Sequence, residues 1–209
     1  MLDFITINEH SSIRLEDNCV IYVDPFRIPN QPNDADIILV THSHYDHFSP
    51  EDIVKIEKSN TRYVMPESML SDAHQAGFME EKITKMNPGE TVEINGVKIE
   101  AIPSYNTDKP MHPKENKWLG YVVTVNHQRI YIAGDCDMMP EETVSCDIAM
   151  VPIGGTYTMN PMEAAEYVNR IKPSYVIPTH YGTVVGTPTD FNRFEPLVQK
   201  GIEVISKLP

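Results

Sequence analysis

The run Asp36-Ile37-Ile38-Leu39-Val40 is short, β-branched and uninterrupted, and it leads directly into Thr41-His42-Ser43-His44-Tyr45-Asp46-His47. A strand of that composition is buried on both faces, so the chain must build layers on either side of it. Three imidazoles and one carboxylate then fall within six positions, where the strand gives way to a loop. Loops at strand ends are where rigid scaffolds hold chemistry. In extended backbone His42 and His44 project to the same side, while Asp46 and His47 lie past the bend and reach a neighbouring position. One loop can therefore feed two adjacent metals. Imidazole with carboxylate suits zinc, with iron and manganese under the same ligand logic.

The rest of the chain alternates short strands with helices, and it carries no internal repeat or low-complexity linker. Phe4-Ile5-Thr6-Ile7, Ser12-Ile13-Arg14-Leu15 and Val20-Ile21-Tyr22-Val23 read as short strands opening a sheet. Ser49-Pro50 with Asp52 combines an N-cap, a first-turn proline and an acidic first turn, so a helix begins right after the histidines. Asn95-Gly96 between two alternating segments predicts a type I′ hairpin. A second hairpin runs from Leu119–Val125 to Arg129–Ala133 around Asn126-His127-Gln128. Asn160-Pro161-Met162-Glu163 is a capping signal for a helix through Arg170, ended by Pro173. This pattern alone gives a mixed α and β layered domain.

Composition narrows the class. At 209 residues and 41% apolar content the chain suits one well-buried domain over residues 1–209. The net charge of −13 argues against a nucleic-acid surface, which needs clustered Lys and Arg. Cys19, Cys136 and Cys146 form no CxxC pair and leave one over, which fits a reducing compartment. The first residues lack a basic region followed by an apolar stretch, and no segment approaches bilayer length, so residence in the cytoplasm, away from membranes, is the expectation.

His-x-His-x-Asp-His after a buried strand resembles the signature of the metallo-β-lactamase superfamily of metal-dependent hydrolases. Ile130-Tyr131-Ile132-Ala133-Gly134-Asp135 resembles its strand ending in a bridging aspartate, and Val176-Ile177-Pro178-Thr179-His180 its strand ending in the last histidine. Glu9-His10-Ser11-Ser12 and Val23-Asp24-Pro25 look like segments of the branch that includes L-ascorbate-6-phosphate lactonase-like proteins. The resemblance implies an α+β fold, a four-layer αββα sandwich of two mixed sheets with helices on the outer faces. It implies one metal on His42 and His44, a second on Asp46, His47 and His180, and Asp135 bridging both. The third ligand of the first metal comes from the loop Ile102–Pro113: His112 by ligand chemistry, or Asn106 by its offset from Pro103.

Hydrolysis is the natural reaction of such a site. A paired zinc centre lowers the pKa of bound water to about 7, which supplies a hydroxide at neutral pH. Asp46 can orient that nucleophile or shuttle its proton. The expected substrate is a small ester, lactone or phosphoester, anionic ones included, as for a phosphoesterase or lactonase. His10 and Asp24 are read as pocket or supporting residues, Asp24 as an acceptor that fixes the tautomer of a ligating imidazole. Thr156, Tyr157 and Tyr181, with Lys109, Lys114 and Trp118, are candidates to line the pocket, and amides of the 153–159 turn to hold an anion. Cys136 reads as a packed strand-end residue. A catalytically silent metal-binding or ligand-sensing module is the alternative from another class. A flavodiiron-type oxidase is disfavoured, because it usually carries glutamate where His44 stands. The sequence leaves oligomeric state open.

Overall fold

In the computed structural model, which describes residues 2–139 and 144–208, the apolar run after Asp36 sends alternate side chains into two different cores. Ile37 and Leu39 enter a layer between two sheets, while Ile38 and Val40 enter a layer covered by helices. The strand is the fourth of a 6-stranded sheet ordered as in the chain: β1 (Ile5–Glu9), β2 (Ser12–Glu16), β3 (Val20–Val23), β4 (Ala35–Leu39), β5 (Glu57–Pro66) and β6 (Ile83–Met86). β1, β2 and β3 pair antiparallel, and β3 through β6 pair parallel. Ile37 stands between Ile21 and Arg62. A one-residue slip would exchange its two faces, so burial on both sides pins this register.

The second sheet has seven strands: β7 (Thr91–Ile94), β8 (Val97–Pro103), β9 (Leu119–Val125), β10 (Gln128–Ile132), β11 (Ile148–Pro152), β12 (Tyr175–Thr179) and β13 (Glu203–Val204), in spatial order from β13 to β7. It too is mixed, antiparallel from β7 to β10 and parallel from β10 to β13. Ile13, Leu15 and Ile21 of the first sheet meet Ile99, Tyr121 and Val123 of the second. Helices α1 (Pro50–Ile56) and α2 (Leu70–Gln75) cover the first sheet through Ile53, Ile56 and Ala73. Helices α3 (Pro161–Ile171) and α4 (Thr189–Phe194) cover the second through Tyr167, Val168 and Phe194. The result is the αββα sandwich. Each fully buried Ile or Leu contributes roughly 1.5–3 kcal/mol.

Local signals match local geometry. Ser49 caps α1, and Asn160 closes a full capping box with Glu163 at the start of α3. Asn95 and Gly96 both have positive φ, 52° and 78°, as a type I′ turn requires. The second hairpin is tighter than the three-residue turn read from the sequence. Asn126 and His127, at φ 50° and 58°, complete the reversal alone, so Gln128 pairs with Val125 as the first residue of β10. α3 runs one residue beyond Arg170, to Ile171, where Lys172 turns left-handed at φ 53°. The two strands expected to carry Asp135 and His180 end earlier, at Ile132 and Thr179, and both residues lie on the loops that follow. Those loops, with the ones after β4 and β8, meet at one edge of the sandwich.

Candidate metal centre

Each side chain of the site is aimed by a break in regular structure. After β4 the backbone N–H groups of His47 and Phe48 both donate to His44 O, at 3.0 and 2.8 Å, which folds the histidine loop into a tight turn. After β10, Gly134 takes φ +66° in a place where a Cβ would come within 3.2 Å of Leu119 O, Ser104 Oγ and Thr41 Cβ. Glycine there lets the loop cross close to β9 and present Asp135. After β12, His180 adopts φ 56° and donates its N–H to His10 O at 3.2 Å.

Two clusters of donor atoms result. In the first, Nδ1 of His44 lies 3.1 Å from Nε2 of His42 and 3.1 Å from Nε2 of His112. Oδ2 of Asp135 stands 3.3 Å from His112 Nε2 and 3.9 Å from His42 Nε2. In the second, Oδ2 of Asp46 stands 3.4 Å from Nε2 of His10 and 3.8 Å from Nε2 of both His47 and His180. Asp135 reaches this cluster as well, at 3.0 Å from His180 and 3.3 Å from His47. Its carboxylate thus touches both groups.

The donor chemistry fits metal ions. Zinc–nitrogen bonds of about 2.0–2.1 Å in a tetrahedron put ligand atoms about 3.3–3.4 Å apart, and the separations here bracket that figure. Nε2 of His10, His47 and His180 and Oδ1 of Asp135 are buried without a hydrogen-bond partner, an expensive state unless a cation takes their lone pairs. Six of the chain's 8 histidines stand in these two clusters, whereas His74 and His127 are exposed.

A further set of contacts fixes which ring nitrogen faces inward. Asp24, 1% exposed, accepts from Thr41 N at 2.7 Å and Thr41 Oγ1 at 2.6 Å, and lies 2.7 Å from His47 Nδ1. Thr41 Oγ1 gives its proton to Asp24 and so accepts from His42 Nδ1 at 3.0 Å. Both rings therefore carry hydrogen on Nδ1 and turn an Nε2 lone pair to the site, the usual arrangement for ligating histidines. Burial, then neighbouring His47, depresses the basicity of His42 well below the ordinary imidazole range. Against the desolvation of burial, Asp135 and Asp24 raise that of His47. Against the same desolvation, His10 and then His47 hold Asp46 down at about 2, and His180 and His47 hold Asp135 well below the carboxylate range. Trp118 packs its ring 4.9 Å from His42, 5.0 Å from His44 and 5.6 Å from His112, walling one side of the first cluster.

The structure brings together His42, His44, Asp46, His47, His112, Asp135 and His180. It places His10 within the second donor cluster, deeper in the site than the supporting role read for it. His112 turns Nε2 into the first cluster. Asn106 stands behind it, donating Nδ2 to Tyr157 O at 2.7 Å and its backbone N–H to His112 O at 2.8 Å. Thr41 was missed as a supporting residue; its only sequence signal is adjacency to His42.

Several pocket candidates lie elsewhere. Tyr157 lines the cavity beside the clusters, but Tyr181 is buried against a different one with Glu9 and Phe191. Thr156 is exposed and gives its N–H to Gly154 O, while the first-turn amides of Met162 and Glu163 in α3 donate to Asn160 Oδ1. Lys109 is paired with Asp137, Asp108 and Glu163, and Lys114 lies over the Tyr105 ring on the far side of Trp118. Cys136 is fully buried in the core beneath α3.

Residues 4–180 match a family model described as a Beta-lactamase superfamily domain. The chain is 33% identical over 215 residues to a UPF0173 metal-dependent hydrolase of Thermococcus onnurineus, covering 96% of this chain and 94% of that protein. It is 35% identical over 197 residues to one from Thermoplasma acidophilum, covering 85% and 82%. A crystal structure of a protein named as a metal-dependent hydrolase, from Parabacteroides distasonis, superposes with a TM-score of 0.82 at 33% identity, covering 98% and 93% of the two chains. Igni18, a metallo hydrolase from Ignicoccus hospitalis, shares the fold with a TM-score of 0.75 at 22% identity, covering 98% and 95%.

Proposed function

The chain belongs to the β-lactamase superfamily, and from that premise we propose that it is a metal-dependent hydrolase with a two-ion site, acting on a small ester, lactone or phosphoester. The observation that carries this reading is the convergence of six imidazoles and two carboxylates in two adjoining clusters, of which His44, Asp46, His112, Asp135 and His180 line a cavity of about 410 Å³. His42, His44 and His112 would hold one divalent ion, and His10, Asp46, His47 and His180 the other, with Asp135 shared. Zinc suits this donor set best, with manganese or iron as substitutes. Ions held there supply Lewis acidity and lower the pKa of water towards 7.

The chain's own residues do the rest. Asp46 lines the cavity and stays ionised at neutral pH, so Oδ2 can accept a hydrogen bond from the attacking water and fix its orientation. Asp24 and Thr41 hold His47 and His42 in one tautomer, so ligand geometry is set before substrate arrives. Trp118 packs beside His44 on one side of the first cluster, and Tyr45 lines the cavity. His44, Asp46, His112, Asp135 and His180 all face the cavity, and this accessibility favours turnover over a silent metal-binding module. The unpaired Cys19, Cys136 and Cys146 suit a reducing, cytoplasmic setting. No helix among the described residues is long and apolar enough to cross a membrane.

The reading is tested by screening chromogenic esters, lactones and phosphoesters with wild type, Asp46→Ala and His180→Ala. Both variants should keep the wild-type circular dichroism spectrum and lose hydrolysis. Full activity in either would remove the mechanism.

A further inference from the structure

The cavity beside the two clusters is lined by five side chains outside the donor set: Tyr45, Met111, Tyr157, Val184 and Val185. None carries a charge at neutral pH. Seven large apolar or aromatic side chains are prominently exposed among the described residues, and Tyr45, Met111 and Tyr157 are three of them, at 67%, 39% and 43%. Such crowding around one opening is the usual mark of a surface kept apolar for a ligand.

Cations are kept away from the same opening. No lysine or arginine lines it among the described residues. Lys109, the nearest in sequence to Met111, is consumed by three carboxylates. Arg27 follows Phe26, whose ring contacts Tyr45, but its guanidinium is paired with Glu9 and lies 5.0 Å from the centroid of the Phe26 ring. The chain as a whole carries −13. A phosphate or carboxylate on the substrate, away from the bond being cleaved, would lose water here and find no cation to pair with, only the hydroxyls of Tyr45 and Tyr157 among these five side chains.

We propose that the substrate carries an uncharged alkyl or aryl group next to its scissile bond, and that Tyr45, Met111, Tyr157, Val184 and Val185 form the seat for that group. The inference rests on the hydrolase reading and narrows its substrate class, away from sugar phosphates and other substrates with a second anionic group. Val184 and Val185 lie on the loop after His180 and line the cavity together with Tyr45, Met111 and Tyr157.

Two series of compounds test it on the zinc-loaded full chain. One is p-nitrophenyl esters with acyl chains of increasing length and their ω-carboxylate counterparts, read as kcat/KM. The other is alkyl hydroxamates and their ω-carboxylate counterparts, read as affinity by calorimetry, which needs no turnover. Each added methylene should raise kcat/KM and affinity by about two- to fourfold until the seat is filled. A terminal carboxylate at equal length should lower both by about tenfold or more. Val184→Lys should shrink the gain per methylene and recover the ω-carboxylates. Hydroxamate affinity independent of chain length, or higher for the ω-carboxylates, would overturn the proposal. Esters left intact while the hydroxamates keep their chain-length dependence would sink the hydrolase reading and leave the seat standing. Hydrolysis that ignores chain length would do the reverse.

Discussion

The carboxylate of Asp24 lies 2.7 Å from Nδ1 of His47 and, through Thr41 Oγ1, also governs Nδ1 of His42, so one buried group sets the tautomers of a histidine in each donor cluster. Asp24 itself is held at φ 47°, a left-handed conformation an aspartate adopts at some cost. Replacing it with alanine should weaken metal binding about 10–100-fold without removing a direct donor. Thr41→Val, close in shape but without the hydroxyl, should weaken it less. Competitive chelator titration measures both, and unchanged affinity in Asp24→Ala would show that the rings are oriented by packing alone.

His10 faces Asp46 through an unpartnered Nε2 at 3.4 Å, with its ring centroid 3.8 Å from that of His180. His10→Ala should lower occupancy of the second ion while the first stays bound, read as metal per chain at limiting zinc. Retention of both ions at wild-type affinity would reduce His10 to a packing partner of His180.

Gly154 follows β11, and a Cβ there would stand 2.2 Å from the backbone oxygen of His180. Gly154→Ala must displace that loop, and misplacement of a site group by about 1 Å can cost on the order of 100-fold in rate. Loss of at least tenfold in kcat/KM with unchanged circular dichroism is the expected outcome. Wild-type turnover would mean the loop yields without moving His180.

Asp52, at 6% exposure, ties α1 to the segment before β4 by accepting from Arg27 N at 2.8 Å, Ile28 N at 3.0 Å and Ser49 Oγ at 2.9 Å, with Lys55 Nζ at 2.7 Å. Against the upward pull of burial, Lys55 first and then Ser49 hold its pKa below the ordinary 3.8. A carboxylate depressed in the folded state stabilises it above the unfolded pKa, and that contribution disappears as pH falls through the folded value. Asp52→Asn should cost about 1–3 kcal/mol at neutral pH and flatten the loss of stability below about pH 4. Thermal unfolding across pH 2.5–7 gives both; parallel curves for variant and wild type would contradict the linkage.

Much of this was legible in sequence because the signals were local. The doubly buried run before Thr41, the Asn95-Gly96 turn and the Asn160 cap are short-range rules, and each yields its element. The histidine loop announced itself by density and by its place after a buried strand, whereas Asp135 was pointed to by the family resemblance of the segment that leads into it. His10 did not, because its place beside Asp46 depends on the first hairpin meeting the loop after β12, a contact between residues 10 and 180 that no local pattern encodes. Tyr181 and Thr156 are absent from the lining of the cavity beside the clusters for the same reason: proximity in sequence to His180 and to a glycine turn says nothing about which wall of the sheet edge a side chain lines. Where Asn106 and His112 stand relative to the first cluster depends on the path of the loop after β8, in which Asn106 N–H donates to His112 O and His112 Nε2 lies 3.1 Å from His44 Nδ1.

The most direct test of a two-ion hydrolase centre is elemental analysis of the zinc-loaded full chain, with ester hydrolysis followed on the same samples as chelator is titrated in and zinc restored. Two ions per chain, with turnover lost as they leave and regained on their return, is the predicted result. One ion or none at saturating zinc, or turnover indifferent to the chelator, would contradict it.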